Sequence, residues 1–508
     1  MTIAPPAAES TGTSRRNLLR AFKSSAVGAV MTYGVNLAIV PFVLHRLGPG
    51  LYGAWATMAS ILAVGALADA GVRTEIIRRA ASALGDGDDE ALVRSVNQGV
   101  TLLAALASVI TLVGMLGAPA IRAFAFPGGV EGYASGQIDT LIRATVAMLA
   151  ASLVANGYFG VLRGVQRGDV ETTGLILGVP ASAAVSVLGV YLGWGLWALF
   201  LGSLTGLLVA AIWNAAGIRR LVPAFAPRLV ALNGPLVKGY LALSGLALLS
   251  QVGDVVDSQW DKVVLSRYVG STAVTSFQIG TSLVSQGKAL ALLPLAPLLV
   301  AIAELRRRDR VRMESLFGVM ARAGMVLGAV VLGAIFAFAP AFVRLWLGDD
   351  PAVAAAAGAA RLFSVAAVLN LMSAPLAFRA FGEGWHTLAA VGSVVNMVVN
   401  GGLSLWLTMV IGFNGALYGS IAGNLAGSAV FFVLIRRRMG DRWTAPPWRA
   451  LAVGTVAALV AALAGAGRLS SWLELLPAGA AYVVVVGLAC ARAERLRFAE
   501  LLSRRVST

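Results

Sequence analysis

The sequence predicts an all-α polytopic membrane protein of about 14 transmembrane helices, arranged as two pseudo-symmetric six-helix lobes followed by a C-terminal helix pair. Three observations predict it. Hydrophobic residues fill 58% of the 508 positions and charged residues only 13%, against roughly 25% charged in soluble domains. Lys and Arg gather between alternate apolar stretches. The first twelve stretches also repeat at an offset of about 220 residues.

A hydropathy window of about 19 residues places the spans at 24–45, 51–70, 97–117, 139–162, 172–192, 195–216, 239–265, 273–303, 315–339, 357–378, 387–411, 414–435, 449–466 and 476–491. With a cytoplasmic N-terminus, about 30 of the 40 Lys and Arg fall on the inner side. Arg15, Arg16, Arg20 and Lys23 begin this pattern, the run Arg306–Arg308 continues it, and Arg436–Arg438 and the tail from Arg492 end it. Both termini are therefore expected in the cytoplasm, with the spans in the cell membrane. The net charge of +16 follows from this orientation and from attraction to an anionic inner leaflet, not from nucleic acid.

Residues 1–23 read as a basic cytoplasmic tail. Ser14-Arg15-Arg16-Asn17-Leu18-Leu19 looks a little like a twin-arginine signal, yet it leads into spans rather than to a cleavage site. Residues 24–216 form the N-lobe (spans 1–6). The first outer loop is expected at 46–50. On the inner side, Arg73–Leu84 has the pattern of an amphipathic interfacial helix, closed by the turn-forming acidic run Gly85–Glu90. A basic linker, 217–238, leads to the C-lobe (239–435, spans 7–12). A loop at 436–448 precedes the extra pair at 449–491, and 492–508 is a cytoplasmic tail.

The repeat is read from ordered matches. Leu47–Trp55 lies over Val269–Phe277, Arg143 over Arg361, Leu162-Arg163-Gly164 over Phe378-Arg379-Ala380, and Gly202-Ser203 over Gly419-Ser420. Pro41, Pro180, Pro294, Pro297 and Pro375 fall inside spans, and the pair in span eight is the expected bending point.

Ionisable groups inside spans are costly, by about 2.5–3.5 kcal/mol on insertion scales. The densest set lies in span seven, where Asp254, Asp257 and Asp261 share one helical stripe with Ser250 and Ser258. Such a stripe must face water, a cation or partner helices. It reads as a proton or Na+ coupling site or a cavity wall, or else as carboxylates paired with Lys262, Lys288 or Arg322. Thr32 and Asn36 occupy the matching face of span one. Asp69 either serves transport or pairs with Arg73. Only one cysteine, Cys490, and two histidines, His45 and His386, are present, so no disulfide, metal centre or cofactor is expected. There is no phosphate-binding loop for ATP. A membrane glycosyltransferase or ligase would need catalytic groups on an outer loop, and 118–138 offers only Glu131. A transporter, not an enzyme, is expected.

Several segments in order carry a family resemblance: Asn36–Pro41, Leu47–Trp55, Leu67–Gly71 running into Arg73–Ala83, Leu162–Asp169, Trp260–Gly270 and Arg379–Gly384. Together they resemble the polysaccharide-transporter branch of the multidrug/oligosaccharidyl-lipid/polysaccharide exporter superfamily, the lipid-linked oligosaccharide flippases. The resemblance implies two lobes around a central cavity that opens alternately inward and outward. It implies a polyprenyl-diphosphate-linked glycan as cargo for cell-surface polysaccharide synthesis, with glycosyltransferases and a polymerase as partners. A cation-coupled multidrug exporter and a lipid II flippase are the related alternatives. Cargo phosphates would need fixed cations, and the in-span candidates are Arg143, Arg361, Arg322, Lys262 and Lys288.

Overall fold

The computed structural model describes residues 12–65, 67, 71–223, 225–241, 252–253, 255–295, 298, 302, 309–440 and 448–494. Among them nine helices are long and apolar enough to cross a membrane, and the chain is an all-α, multi-pass membrane protein. Two compact units divide it, Met1–Gln251 and Val252–Thr508.

In the first unit, α1 (Gly12–Gly65) carries both of the first two expected spans. Helical geometry breaks once inside it, at Gly48 (φ 80°, ψ 162°). That positive φ would strain a side chain, and Pro49 then opens the second half, where a missing N–H is harmless. The loop expected at 46–50 is thus a one-residue hinge. Helix α2 (Val72–Asp86) does form, but its apolar face does not lie against lipid: Val72, Ile76, Ala80 and Ala83 are buried against the next two helices. The acidic run becomes a junction. Gly87, with φ 70°, closes α2, and the Asp88 carboxylate accepts from the Ala91 N–H to start α3 (Asp89–Ala125).

Helices α4 (Ser135–Gly164), α5 (Gly168–Tyr191) and α6 (Leu196–Leu221) complete the first bundle. The α5–α6 contact is written in small residues every fourth position. Gly174, Gly178, Ser182 and Ser186 on α5 face Asn214, Ala210, Gly206 and Gly202 on α6. A β-carbon on Gly178 would sit 2.6 Å from the Gly206 carbonyl oxygen. Lipid supplies no hydrophobic drive between helices, so this close backbone approach is the source of adhesion.

Beyond α6 the linker does not run free. The Asn97 side chain on α3 donates to the Ala226 carbonyl (2.9 Å) and accepts from the Arg228 N–H, and Thr101 Oγ1 accepts from the Val230 N–H. A short helix, α7 (Gly234–Leu241), follows. Its buried Tyr240 donates to the Ser95 carbonyl (2.5 Å) beneath the Arg79 guanidinium.

The second unit opens with a π-helical turn, Val256–Trp260, continuing directly into α8 (Asp261–Tyr268). Then come α9 (Ser271–Leu292), α10 (Arg310–Leu347), α11 (Pro351–Glu383), α12 (His386–Ile411) and α13 (Phe413–Met439). At Pro294 the α-helix gives way to a 3-10 turn, Leu293–Leu295; Pro297 lies outside the described residues. Helices α12 and α13 repeat the α5–α6 pattern. Asn396, Asn400, Ser404 and Thr408 face Gly427, Gly423, Gly419 and Gly415, and a β-carbon on Gly419 would lie 2.3 Å from the Ser404 Cα. Each facing pair sits at nearly the same offset from its first-unit counterpart, which carries the internal repeat from scattered motifs into packing.

The last helices, α14 (Arg449–Leu463) and α15 (Trp472–Ala493), pack on α10. Gly454 approaches Ala329 and Gly333 approaches Tyr482, and a core of Val330, Phe338, Tyr482 and Cys490 closes around them.

Candidate functional site

Of the three span-seven carboxylates, Asp261 is the one whose side chain is described; Asp254 and the side chain of Asp257 lie outside the described residues. The regular stripe expected there is corrected by the backbone. The π turn at 256–260 widens the helix between Asp257 and Asp261, so α-helical spacing does not carry across it. The Trp260 indole N–H anchors this turn to the Gly401 carbonyl at 3.2 Å. Asp261 is fully buried, and its two carboxylate oxygens accept from the hydroxyls of Ser404 on α12 and Ser420 on α13. One carboxylate therefore binds both members of the tightest helix pair in its unit.

Beside it is a cavity of about 310 Å³ within the second unit. Lys262 and Lys288, two of the predicted cations, both line it, with Gln259, Gln278, Asn370 and Asn424. The Lys262 ammonium is held by the Gln259 side-chain oxygen at 2.8 Å. Amides line most of the remaining polar wall, so the lysines are its main charge.

The first unit encloses its own cavity, about 420 Å³, bounded by α1, α4, α5 and α6. Thr32 and Asn36 line it, together with Asn156, Ser182, Ser186, Ser203 and Asn214. Ser186 and Ser203 are the repeat counterparts of Ser404 and Ser420. At the offset of 222 residues that sets Leu47 over Val269, Ile39 stands in the place of Asp261, so the serine pair exists twice and the carboxylate once. Asn214 is only 1% exposed, and among the described residues neither its amide oxygen nor its nitrogen has a hydrogen-bond partner. Leaving such a group unpaired costs about 1–3 kcal/mol.

The equivalent arginines do something the sequence reading missed. Proline has no N–H, so Pro119 in α3 and Pro340 in α10 orphan the carbonyls four residues earlier, on Met115 and Phe336. Arg143 Nε donates to the Met115 carbonyl at 3.2 Å, and Arg361 Nε to the Phe336 carbonyl at 2.9 Å. Each repeat thus has a proline kink stitched by an arginine from the next helix. The expected spans 97–117 and 315–339 stop short of both prolines, which the helices include. Arg361 also reaches the Ala337 carbonyl (3.4 Å), and Gly467 of the α14–α15 turn packs on Pro340 and Arg361. Arg143 is exposed. Arg322, on α10, is half-buried, and its Nε finds no partner among the described residues.

Two charge clusters mark one end of each bundle. Buried Glu171 is clasped by Arg73 and Arg163, both at 2.5 Å. Arg73 is thus engaged by Glu171, and Asp69 lies outside the described residues. In the second unit the signs invert, with fully buried Arg379 held by Glu314 (2.5 Å) and Glu383 (3.0 Å) and stacked on Phe317. No cluster of metal-ligating side chains exists among the described residues.

No protein-family model matches the chain, and no curated protein sequence matches it. Solved structures do. The lipid II flippase MurJ in an inward closed conformation is similar over 96% of this chain and 99% of its own, with a TM-score of 0.68 at 8% identity. An inward-facing multidrug resistance MATE family transporter of the MOP superfamily is similar over 82% of this chain and 94% of its own (TM-score 0.60, 16% identity). A MOP superfamily transporter from Pyrococcus furiosus is similar over 84% and 96%, with a TM-score of 0.59 at 17% identity. At these identities the likeness is one of architecture, and by it the chain has the fold of the MOP-superfamily membrane transporters.

Proposed function

We propose that the protein is a flippase that carries a polyprenyl-diphosphate-linked oligosaccharide from the inner to the outer leaflet of a bacterial cell membrane, by alternating access and without ATP. The observation that carries this reading is the second-unit cavity, where Lys262 and Lys288 join amide groups in one polar pocket inside a transporter fold. Two ammonium groups set among amide dipoles suit a diphosphate, which needs fixed positive charge and several donors. Lipid and organic cations fit that lining poorly. Arg322 on α10 is the remaining in-span cation without a partner among the described residues, and it belongs to the same reading.

Asp261 supplies the coupling site. A buried carboxylate bridging two helices can trade its serine hydroxyls for a Na+ ion or take up a proton, and either event changes what holds α12 to α13. Both termini then face the cytoplasm, and the glycosyltransferases and polymerase of a surface glycan are the expected partners.

Proteoliposomes loaded with a fluorescent polyprenyl-diphosphate disaccharide test the reading. Wild-type protein should move it across the bilayer without ATP, and the Lys262→Gln/Lys288→Gln variant should slow it at least tenfold. Equal rates in the two proteins overturn the cargo assignment. The Asp261 carboxylate also favours a second reading, a cation-coupled multidrug exporter. In that case the same vesicles would extrude an organic cation dye in an Asp261-dependent way and leave the glycolipid in place.

A further inference from the structure

The two cavities differ in chemistry, and the first-unit cavity has no role in the preceding reading. Besides Tyr52 and Trp55, seven uncharged polar side chains line it, and among the described residues no Lys or Arg does. Its one carboxylate, Glu171, is already held by Arg73 and Arg163. Among the described residues a phosphate would find no lining cation there, and its one carboxylate already takes up two arginines. A lipid tail would have to strip water from amides and hydroxyls. The fitting ligand is neutral and rich in hydroxyls, each able to donate and accept.

Three further features narrow the choice. Asn214 presents a buried amide whose donor and acceptor both lack a partner among the described residues, and Asn36, Asn156 and Ser203 offer the same dual chemistry on the surrounding helices. Tyr52 and Trp55 add aromatic faces, on which the C–H face of a sugar ring can lie. The 420 Å³ volume falls within the range of small-molecule sites, about 300–1,000 Å³. We propose that this cavity is a subsite for an uncharged sugar residue of the cargo, with Asn214 as its deep polar anchor. The proposal rests on the cargo reading above.

Calorimetry on protein in lipid nanodiscs separates the two assignments, using farnesyl diphosphate and a farnesyl-diphosphate-linked neutral disaccharide as probes. Wild-type protein should bind the disaccharide compound more tightly. Asn214→Leu should erase about tenfold of that gain, the worth of roughly one well-made hydrogen bond, and leave farnesyl diphosphate affinity unchanged. The same variant should raise the Tm of the ligand-free protein, because it removes an unpaired buried amide. Ser203→Ala repeats the affinity test where Asn214→Leu fails to fold. A sugar gain that survives both substitutions overturns the site, as does equal affinity for the two probes in wild-type protein, which leaves the diphosphate assignment standing. Binding of neither probe overturns the cargo reading and this inference with it.

Discussion

The stitched proline kink yields the sharpest prediction. Replacing Arg361 by Met keeps the side chain's length and removes the donor to the Phe336 carbonyl. That bond is 2.9 Å long, charge-assisted and half-buried, and a weaker one to Ala337 accompanies it at 3.4 Å. Bonds to charged groups contribute about 1.5–3 kcal/mol, so Arg361→Met should destabilise the protein by about 2 kcal/mol. Pro340→Ala restores an N–H four residues along the helix, able to satisfy the same carbonyl. The double variant should then recover most of the loss, with a coupling energy of about 1–2 kcal/mol. Unfolding in mixed detergent micelles, followed by circular dichroism for the four proteins of this cycle, measures it. Additive losses would refute the stitch. A transport defect in Arg361→Met that Pro340→Ala leaves unrepaired would instead return Arg361 to the cargo. For Arg143, exposed and bonded at 3.2 Å, the same cycle through Pro119 should give under about 1 kcal/mol.

Gly419→Val should destabilise the second unit by about 3 kcal/mol, because its β-carbon would meet the Ser404 backbone; Gly479→Val, with open space around it, is the control in the same unfolding assay. Arg379→Met strands two carboxylates against a buried stem and should cost about 3–5 kcal/mol, read as lost yield of folded protein, with Arg379→Lys falling between. The Arg78 hydrogen bond, and then Arg79, hold the Glu75 carboxylate below its ordinary value of 4.5. A lowered carboxylate stabilises at neutral pH and loses that contribution as the pH falls below 4.5 through the folded value. Thermal unfolding between pH 6 and 3 should therefore decline less steeply in Glu75→Gln than in wild-type protein.

Much of the architecture is legible in the sequence because the bilayer enforces a simple rule. Every backbone group must be satisfied within its own helix, so apolar length alone gives the spans. The repeat is legible too, since Gly202 over Gly419 marks positions where no larger side chain fits. Less legible is whatever depends on hydrogen bonds between helices. The stripe drawn through Asp254, Asp257 and Asp261 assumed a uniform helix, and no residue signal announces the π turn at Val256. Arg143 and Arg361 are legible as a repeat pair, but their bonds to carbonyls are not, because an orphaned carbonyl is invisible until the proline four residues beyond is counted inside the helix. Lys262 and Lys288 lie 26 positions apart on two helices, and only packing brings them to one wall. Glu171 and Asn214 carried no sequence signal that set them apart, although both line the first-unit cavity.

The register of α12 against α13 has a mechanical meaning. Five successive small-residue contacts, from Gly392 to Gly415, lock the two helices so closely that sliding either by one residue would drive β-carbons into backbone. The pair can therefore tilt or swing only as one plank, and its stiffness turns a small event into a large one. Ser404 and Ser420 sit on opposite members of that plank and meet at a single carboxylate. A change of one charge at Asp261 would therefore bear on both helices of the plank at once.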